Sequence, residues 1–117
     1  MELHYWKIRG LGEPIRMMLE YLGVKYENKY KTSFEDWFLE KVKSDIELVN
    51  LPYLVDGEVK LTQSYAIMRY LARKHKKLLP SGETEQQRID QAEGVLADLR
   101  CFYFMFLFLL NFSKYLM

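Results

Sequence analysis

Asn50-Leu51-Pro52-Tyr53-Leu54-Val55-Asp56-Gly57-Glu58-Val59-Lys60-Leu61-Thr62-Gln63-Ser64 reads as a strand, a tight turn, a second strand and the start of a helix. Asp56-Gly57 between two apolar runs is a hairpin signal, and a type I′ turn centred on that pair needs positive φ at both residues. Pro52 opens the first strand. It has no backbone donor, and it restricts Leu51 to extended geometry. The Leu51–Pro52 bond is a candidate for the cis form, which is confined almost entirely to X-Pro bonds. Ser64 stands where a helix is expected to begin, in the N-cap role, and that end of a helix attracts carboxylates and phosphates. Exposed backbone beside Pro52 and a helix N-terminus at Ser64 are thus two means of holding a small peptide-like anion.

Upstream of this stretch, Leu3 to Ile8 alternates and is rich in aromatics, which suits a strand. Arg9-Gly10-Leu11-Gly12 is a loop, and Pro14 at a first helical position opens a helix. Ile15, Met18, Leu19 and Leu22 follow the spacing of a buried helical stripe, which Gly23 ends. Lys25 to Lys31 reads as a second strand with Tyr26 and Tyr30 on one face, and Phe34 to Val42 as a short amphipathic helix. Downstream, Ser64 to about Lys76 is a helix with Ile67, Tyr70 and Leu71 facing inward. The order β-α-β-α-β-β-α combines a βαβ crossover with a tight hairpin, so the sheet must be mixed. Lys77 to Gly82 is a linker, and Thr84-Glu85-Gln86-Gln87 matches a capping box that starts a helix running to Arg100.

The totals exclude several classes of function. A length of 117 residues leaves room for one domain, or one domain and part of another. A net charge of +1 gives no electrostatic reason to bind nucleic acid. Cys101 is the only cysteine, which rules out an internal disulfide and a multi-cysteine zinc site. Lying in an apolar run without a basic neighbour, it is also a poor nucleophile. The first residues lack the apolar core of a secretory signal, so a cytoplasmic location is the default expectation. Gly10-Leu11-Gly12 is not a dinucleotide fingerprint, because Ile15 occupies the third glycine position. His4 and His75 have no metal-ligand spacing and read as structural.

Tyr5-Trp6-Lys7-Ile8-Arg9-Gly10-Leu11, Trp37 with Lys41, Asn50-Leu51-Pro52-Tyr53, and Leu61-Thr62-Gln63-Ser64 occur in that order. Together they resemble a cytosolic glutathione transferase, and most closely the mu class and the mu-like enzymes of parasitic worms. The resemblance runs from Leu3 to about Arg100. It implies a thioredoxin-like α/β domain over residues 1–76, a linker at 77–82, and the first helix of an all-α domain at 83–100. It also implies glutathione as co-substrate, no metal, a small hydrophobic electrophile as the second substrate, a detoxifying role and a homodimer.

The resemblance assigns roles that each compete with a plainer reading. A phenol with a pKa of about 10 keeps its proton near neutrality and can donate it to a thiolate. Tyr5 matches the tyrosine that does so in the family, although taken alone it reads as a core residue. Trp37 and Lys41, four apart on one helix face, match the pair that holds the glycyl carboxylate; alone they suit an amphipathic helix with a solvated lysine. Asn50 and Leu51 match the residues that bond the middle of the tripeptide, and Gln63 and Ser64 those that take its γ-glutamyl end. Trp6 and Leu11 match residues lining the pocket and would equally suit a core. Asp98 matches a carboxylate that reaches the neighbouring subunit's glutathione amine, or else is a solvated helix residue.

After Arg100 the composition changes. All 16 acidic residues lie at or before Asp98, whereas residues 101–117 hold five Phe, four Leu, two Tyr and two Met. The apolar run of about ten residues is shorter than the roughly 20 that a membrane span needs. It does not resemble the family's continuation, and its residue types are those of translated A/T-rich non-coding sequence. Residues 101–117 are therefore read as an aberrant tail and the helical domain as truncated. Two further functions follow. A non-catalytic glutathione or hydrophobic-ligand binding protein is the alternative if the acceptor pocket is missing. A thioredoxin-like oxidoreductase is disfavoured because there is no Cys-x-x-Cys pair.

Overall fold

The computed structural model describes residues 1–113. The chain divides into two units, one from Met1 to Leu79 and one beginning at Pro80. In the first, β1 (Glu2–Trp6) leads through a single 3₁₀ turn (Gly10–Gly12) into α1 (Glu13–Leu22), followed by β2 (Glu27–Lys31) and α2 (Phe34–Lys43). Then come β3 (Tyr53–Asp56), β4 (Val59–Thr62) and α3 (Ser64–His75). The second unit is described through α4 (Glu83–Ser113).

The sheet has the order β2-β1-β3-β4, with β1 and β2 parallel and the other pairs antiparallel. The mixed sheet expected from one crossover and one hairpin is therefore present. Leu3 and Leu54 are register partners and belong with Ile15, Leu19, Ile67 and Leu71 to one fully buried cluster. Strand side chains alternate between faces, so this face of the sheet is the one covered by α1 and α3. His4 and Tyr53, also register partners, stack on the opposite face with ring centroids 4.1 Å apart.

Local chemistry sets the element ends. Gly23 closes α1 in the left-handed region at φ 68°, and its N–H bonds back into the last turn. The Ser33 hydroxyl accepts the Asp36 N–H and caps α2. The Leu51–Pro52 bond is cis.

Four expectations need correction. The hairpin loop is Gly57-Glu58, not Asp56-Gly57, because Asp56 pairs with Val59 across the ladder. Of these two loop residues only Gly57 has positive φ, at 63°, which fits a primed turn with glycine first rather than type I′. Ser64 is the first residue of α3, and the N-cap is Gln63 at φ 70° and ψ 117° with no side-chain cap bond. β2 begins at Glu27, so Lys25 and Tyr26 precede it. Helix α4 starts at Glu83, the first residue of the expected 83–100 helix and one ahead of the Thr84-Glu85-Gln86-Gln87 box. Its leading carboxylate, Glu85, reaches back to the Ser81 N–H (2.5 Å) and hydroxyl (2.6 Å). The helix also runs through Arg100–Cys101 without a break, so the compositional boundary there is not a secondary-structure boundary.

Candidate functional site

Tyr5 occupies the fourth position of β1 and its side chain is buried. Its hydroxyl oxygen accepts the Leu11 N–H at 3.0 Å. That bond uses one acceptor lone pair and leaves the phenolic proton to be donated elsewhere. The 3₁₀ turn wraps the ring closely. A Cβ at Gly10 would stand 2.6 Å from the Tyr5 hydroxyl, and one at Gly12 2.6 Å from its Cδ1. Gly10 also has φ 41°, which a side chain would oppose. The two glycines thus let backbone stand where side chains would push the phenol away. Neither was singled out from sequence as part of a site, and their flanking of Leu11 six residues after Tyr5 was the available signal.

The turn is itself pinned. Arg16 on α1 donates to the Ile8 carbonyl (3.2 Å), Asn28 Oδ1 (3.0 Å) and Glu13 Oε2 (2.5 Å), joining the β1 exit, β2 and its own helix.

Five of the expected residues come together. Tyr5, Trp37, Leu51 and Tyr53 form a second buried cluster, with Trp6 and Leu11 packed against it. Trp37 arrives from α2, Leu51 from the loop before β3, and Trp6 and Leu11 from the two ends of the β1–α1 connection. The Trp37 ring stacks over Tyr53 at 6.3 Å. Lys41, one helical turn beyond Trp37, is exposed. Its ammonium is available to an anion at the surface.

Asn50 and Leu51 behave differently from a simple pair of ligand groups. The Asn50 side-chain oxygen accepts the Leu51 N–H at 2.9 Å, so that donor is already satisfied within the chain. Gln63 is exposed, and it holds a backbone conformation that side chains seldom adopt. Such conformations concentrate at functional sites. Ser64 is buried at the first position of α3, where the N–H groups of the first turn are unpaired within the helix. Thr62, just before, donates its hydroxyl to the Leu48 carbonyl (3.2 Å) and ties the loop before β3 to the end of β4. Asp98 lies on α4 in the second unit and is exposed.

A polar group on the α2 side of the sheet escaped the sequence reading. Glu40 of α2 accepts the Tyr53 hydroxyl at one carboxylate oxygen and the Lys31 ammonium at the other, both at 2.5 Å. Burial raises the Glu40 pKa, but the Lys31 and Tyr53 hydrogen bonds outweigh it and hold the carboxyl below its usual value. Burial, followed by the Glu40 hydrogen bond, pushes the Tyr53 phenol far upward, so Tyr53 remains a donor. His4 shares a 3.0 Å bond with Glu2, while burial and the nearby Lys31 depress its pKa. We therefore read the His4–Glu2 contact as a neutral imidazole Nε2–H donating to a carboxylate rather than as an ion pair. This tautomer leaves the buried, unpartnered Nδ1 as an acceptor.

Comparison with known proteins resolves the family. The family model "Glutathione S-transferase, N-terminal domain" matches residues 1–73. The chain belongs to the glutathione S-transferase family. The class-mu 26 kDa isozyme 51 glutathione S-transferase of Fasciola hepatica is 50% identical over 85% of this chain and 46% of the relative. Glutathione S-transferase 2 of Gallus gallus is 50% identical over 84% of this chain and 47% of its own length. Glutathione S-transferase Mu 1 of Mus musculus is 44% identical over 97% of this chain and 55% of its own, a match that extends past Arg100. The solved glutathione S-transferase Blo t 8 superposes with a TM-score of 0.79 at 34% identity, over 86% of this chain and 47% of that one. The chain thus spans about half the length of the glutathione S-transferases it matches. The class-mu relatives agree with the resemblance carried by Asn50-Leu51-Pro52-Tyr53. Tyr5, Trp6, Leu11, Trp37, Lys41, Asn50, Leu51, Gln63 and Ser64 all lie inside the matched glutathione S-transferase N-terminal domain, and Asp98 lies outside it.

Proposed function

We propose that this chain binds glutathione on its first unit and activates the thiol for transfer to small hydrophobic electrophiles, as a class-mu glutathione transferase. The observation that carries the reading is the Tyr5 hydroxyl, whose oxygen accepts the Leu11 N–H, so that its own O–H is the donor left for a ligand. Donated to a sulfur, that proton stabilises the thiolate over the thiol and so raises the fraction of nucleophile. The thiolate sulfur then forms a bond to the electrophilic carbon, the leaving group departs with its electron pair, and the thiol proton passes to solvent. The protein contributes ionisation and positioning, and the nucleophile is the substrate's own.

In this reading Trp37 and Lys41 hold the glycyl carboxylate, and Trp6 and Leu11 line the pocket. The Asn50–Leu51 backbone faces the middle of the tripeptide. Because Asn50 already takes the Leu51 N–H, a peptide carbonyl that uses this donor must displace the Asn50 side chain, which then turns to the ligand. Gln63 and the first turn of α3 at Ser64 receive the γ-glutamyl carboxylate, where helix N–H groups favour an anion. Residues 1–76 serve as the glutathione domain, and α4 begins the helical domain that supplies the acceptor pocket. A cytoplasmic homodimer working in detoxification, with Asp98 reaching the other subunit's glutathione, completes the proposal and is supported by the family membership.

Retention on immobilised glutathione, paired with turnover of a generic aryl halide, tests it. The expected result is specific elution by free glutathione together with turnover. Retention without turnover would point to a carrier, and absence of both would refute the proposal.

A further inference from the structure

Helix α2 is weakly held by apolar burial. Trp37 is its only buried residue, while Phe34, Phe38, Leu39 and Val42 are exposed. One buried ring fixes the distance of a helix from a sheet better than it fixes rotation about the helix axis. The missing constraint is polar. Glu40 lies three residues after Trp37 and one before Lys41, on the face that Trp37 presents to the sheet. Its two carboxylate oxygens are bonded to two different strands: Lys31 at the end of β2 and Tyr53 at the start of β3.

Each partner is fixed in turn. Tyr53 is buried, and its ring stacks with both the His4 ring and the Trp37 ring. The Lys31 side chain is only 13% exposed, and its ammonium sits 5.7 Å over the Tyr53 ring. Removing the carboxylate charge would take the counter-ion from the Lys31 ammonium and weaken the bond from a buried phenol, both of which are unfavourable.

We propose that Glu40 is a positioning residue: its bridge to Lys31 and Tyr53 sets the rotation of α2 and thereby places Trp37 and Lys41 for the carboxylate end of glutathione. The inference rests on the glutathione reading above for its ligand, and on the Glu40 contacts alone for the docking of α2. Glu40 touches neither the thiol nor Tyr5 in this scheme. Its loss should therefore weaken glutathione binding without changing the ionisation of the bound thiol.

The test uses the full chain as Glu40→Gln, with Tyr53→Phe as a second variant that keeps the ring stack and removes only the hydroxyl. Titration calorimetry with glutathione, the pH titration of bound thiolate absorbance, and amide hydrogen exchange over Phe34–Lys43 are measured for each. Glu40→Gln should raise the dissociation constant about threefold to tenfold, the range expected for losing a partly exposed charge-assisted bridge. It should also speed exchange in α2 selectively and leave the thiol pKa at the wild-type value. Tyr53→Phe should shift the same observables in the same direction by less. Unchanged affinity and unchanged α2 exchange in Glu40→Gln would overturn the proposal. So would a uniform rise in exchange with a shifted thiol pKa, the mark of a general structural role. If glutathione fails to bind the wild type while Glu40→Gln still loosens α2, the anchor stands and the glutathione reading falls.

Discussion

Tyr5 is useful as a donor only if its oxygen is held and its ring cannot move. The Leu11 N–H does the first, and the backbone of Gly10 and Gly12 does the second. Gly12→Ala should therefore push the buried ring aside, because a Cβ 2.6 Å from Cδ1 lies inside contact distance. The expected loss of stability is about 1–3 kcal/mol by urea denaturation, the usual result of overpacking a close contact, together with a raised thiol pKa for bound glutathione. The motif marked Tyr5 in the sequence as a candidate, and likewise Trp37 and Lys41. Glu40 was not: among the acidic residues nothing in local sequence marks the one whose two oxygens meet two strands, because those partners lie 9 and 13 residues away. His4 read as structural, and its stacking on Tyr53 depends on the antiparallel register of β1 with β3, which local sequence does not specify.

Elements were legible where their signals are periodic and shifted where they depend on turn geometry. The stripe of α1 and its terminal Gly23 appear as read, since a 3.6-residue period and a left-handed cap are both written in local sequence. The hairpin moved by one residue because the ladder pairs Asp56, whose carboxylate is engaged by Tyr70 at 2.7 Å and by Lys74. A side chain drawn toward α3 keeps Asp56 in the strand and leaves the turn to Gly57-Glu58. At α3 the N-terminal end carries the unusual backbone at Gln63, while the far end carries a left-handed residue, Lys76, at φ 50°. Lys76 is exposed and closes the helix by bonds from its own N–H to Arg73 and from Lys77 to Ala72. Lys76→Gly should raise stability by about 0.5–1 kcal/mol, since relief of the left-handed penalty exceeds the added freedom of the unfolded chain. A urea midpoint that falls instead would show that the Lys76 side chain does more than end the helix.

At the scale of the molecule, the charges predict how stability varies with pH. Burial depresses the His4 pKa below its ordinary value of 6.5, so the folded chain favours the neutral ring. As pH falls below that value the unfolded chain binds the proton first, and stability is lost until the folded pKa is reached. Glu40 and Asp56 are held below their usual values, and their contribution is present above about pH 4.5 and disappears as pH falls through the folded pKa. Stability should thus begin to fall below about pH 6.5, shallowly because of His4, and more steeply where the carboxylates titrate. His4→Phe keeps a flat ring against Tyr53 and should abolish the shallow limb, which melting temperatures between pH 5 and 7.5 would reveal. The overall architecture was legible because a crossover followed by a hairpin leaves few sheet orders, and four motif clusters in sequence placed the family. The division of labour beyond residue 79 was less so: α4 continues through a change of composition that suggested an end.

The central claim is that Tyr5 lowers the pKa of a bound glutathione thiol. Thiolate absorbance titrated against pH on the wild type and on Tyr5→Phe, both saturated with glutathione, measures this directly. The wild type should ionise the thiol well below its ordinary value of about 8.5, and Tyr5→Phe should return it toward that value with little change in affinity. A bound thiol with the same pKa in both proteins would contradict the account.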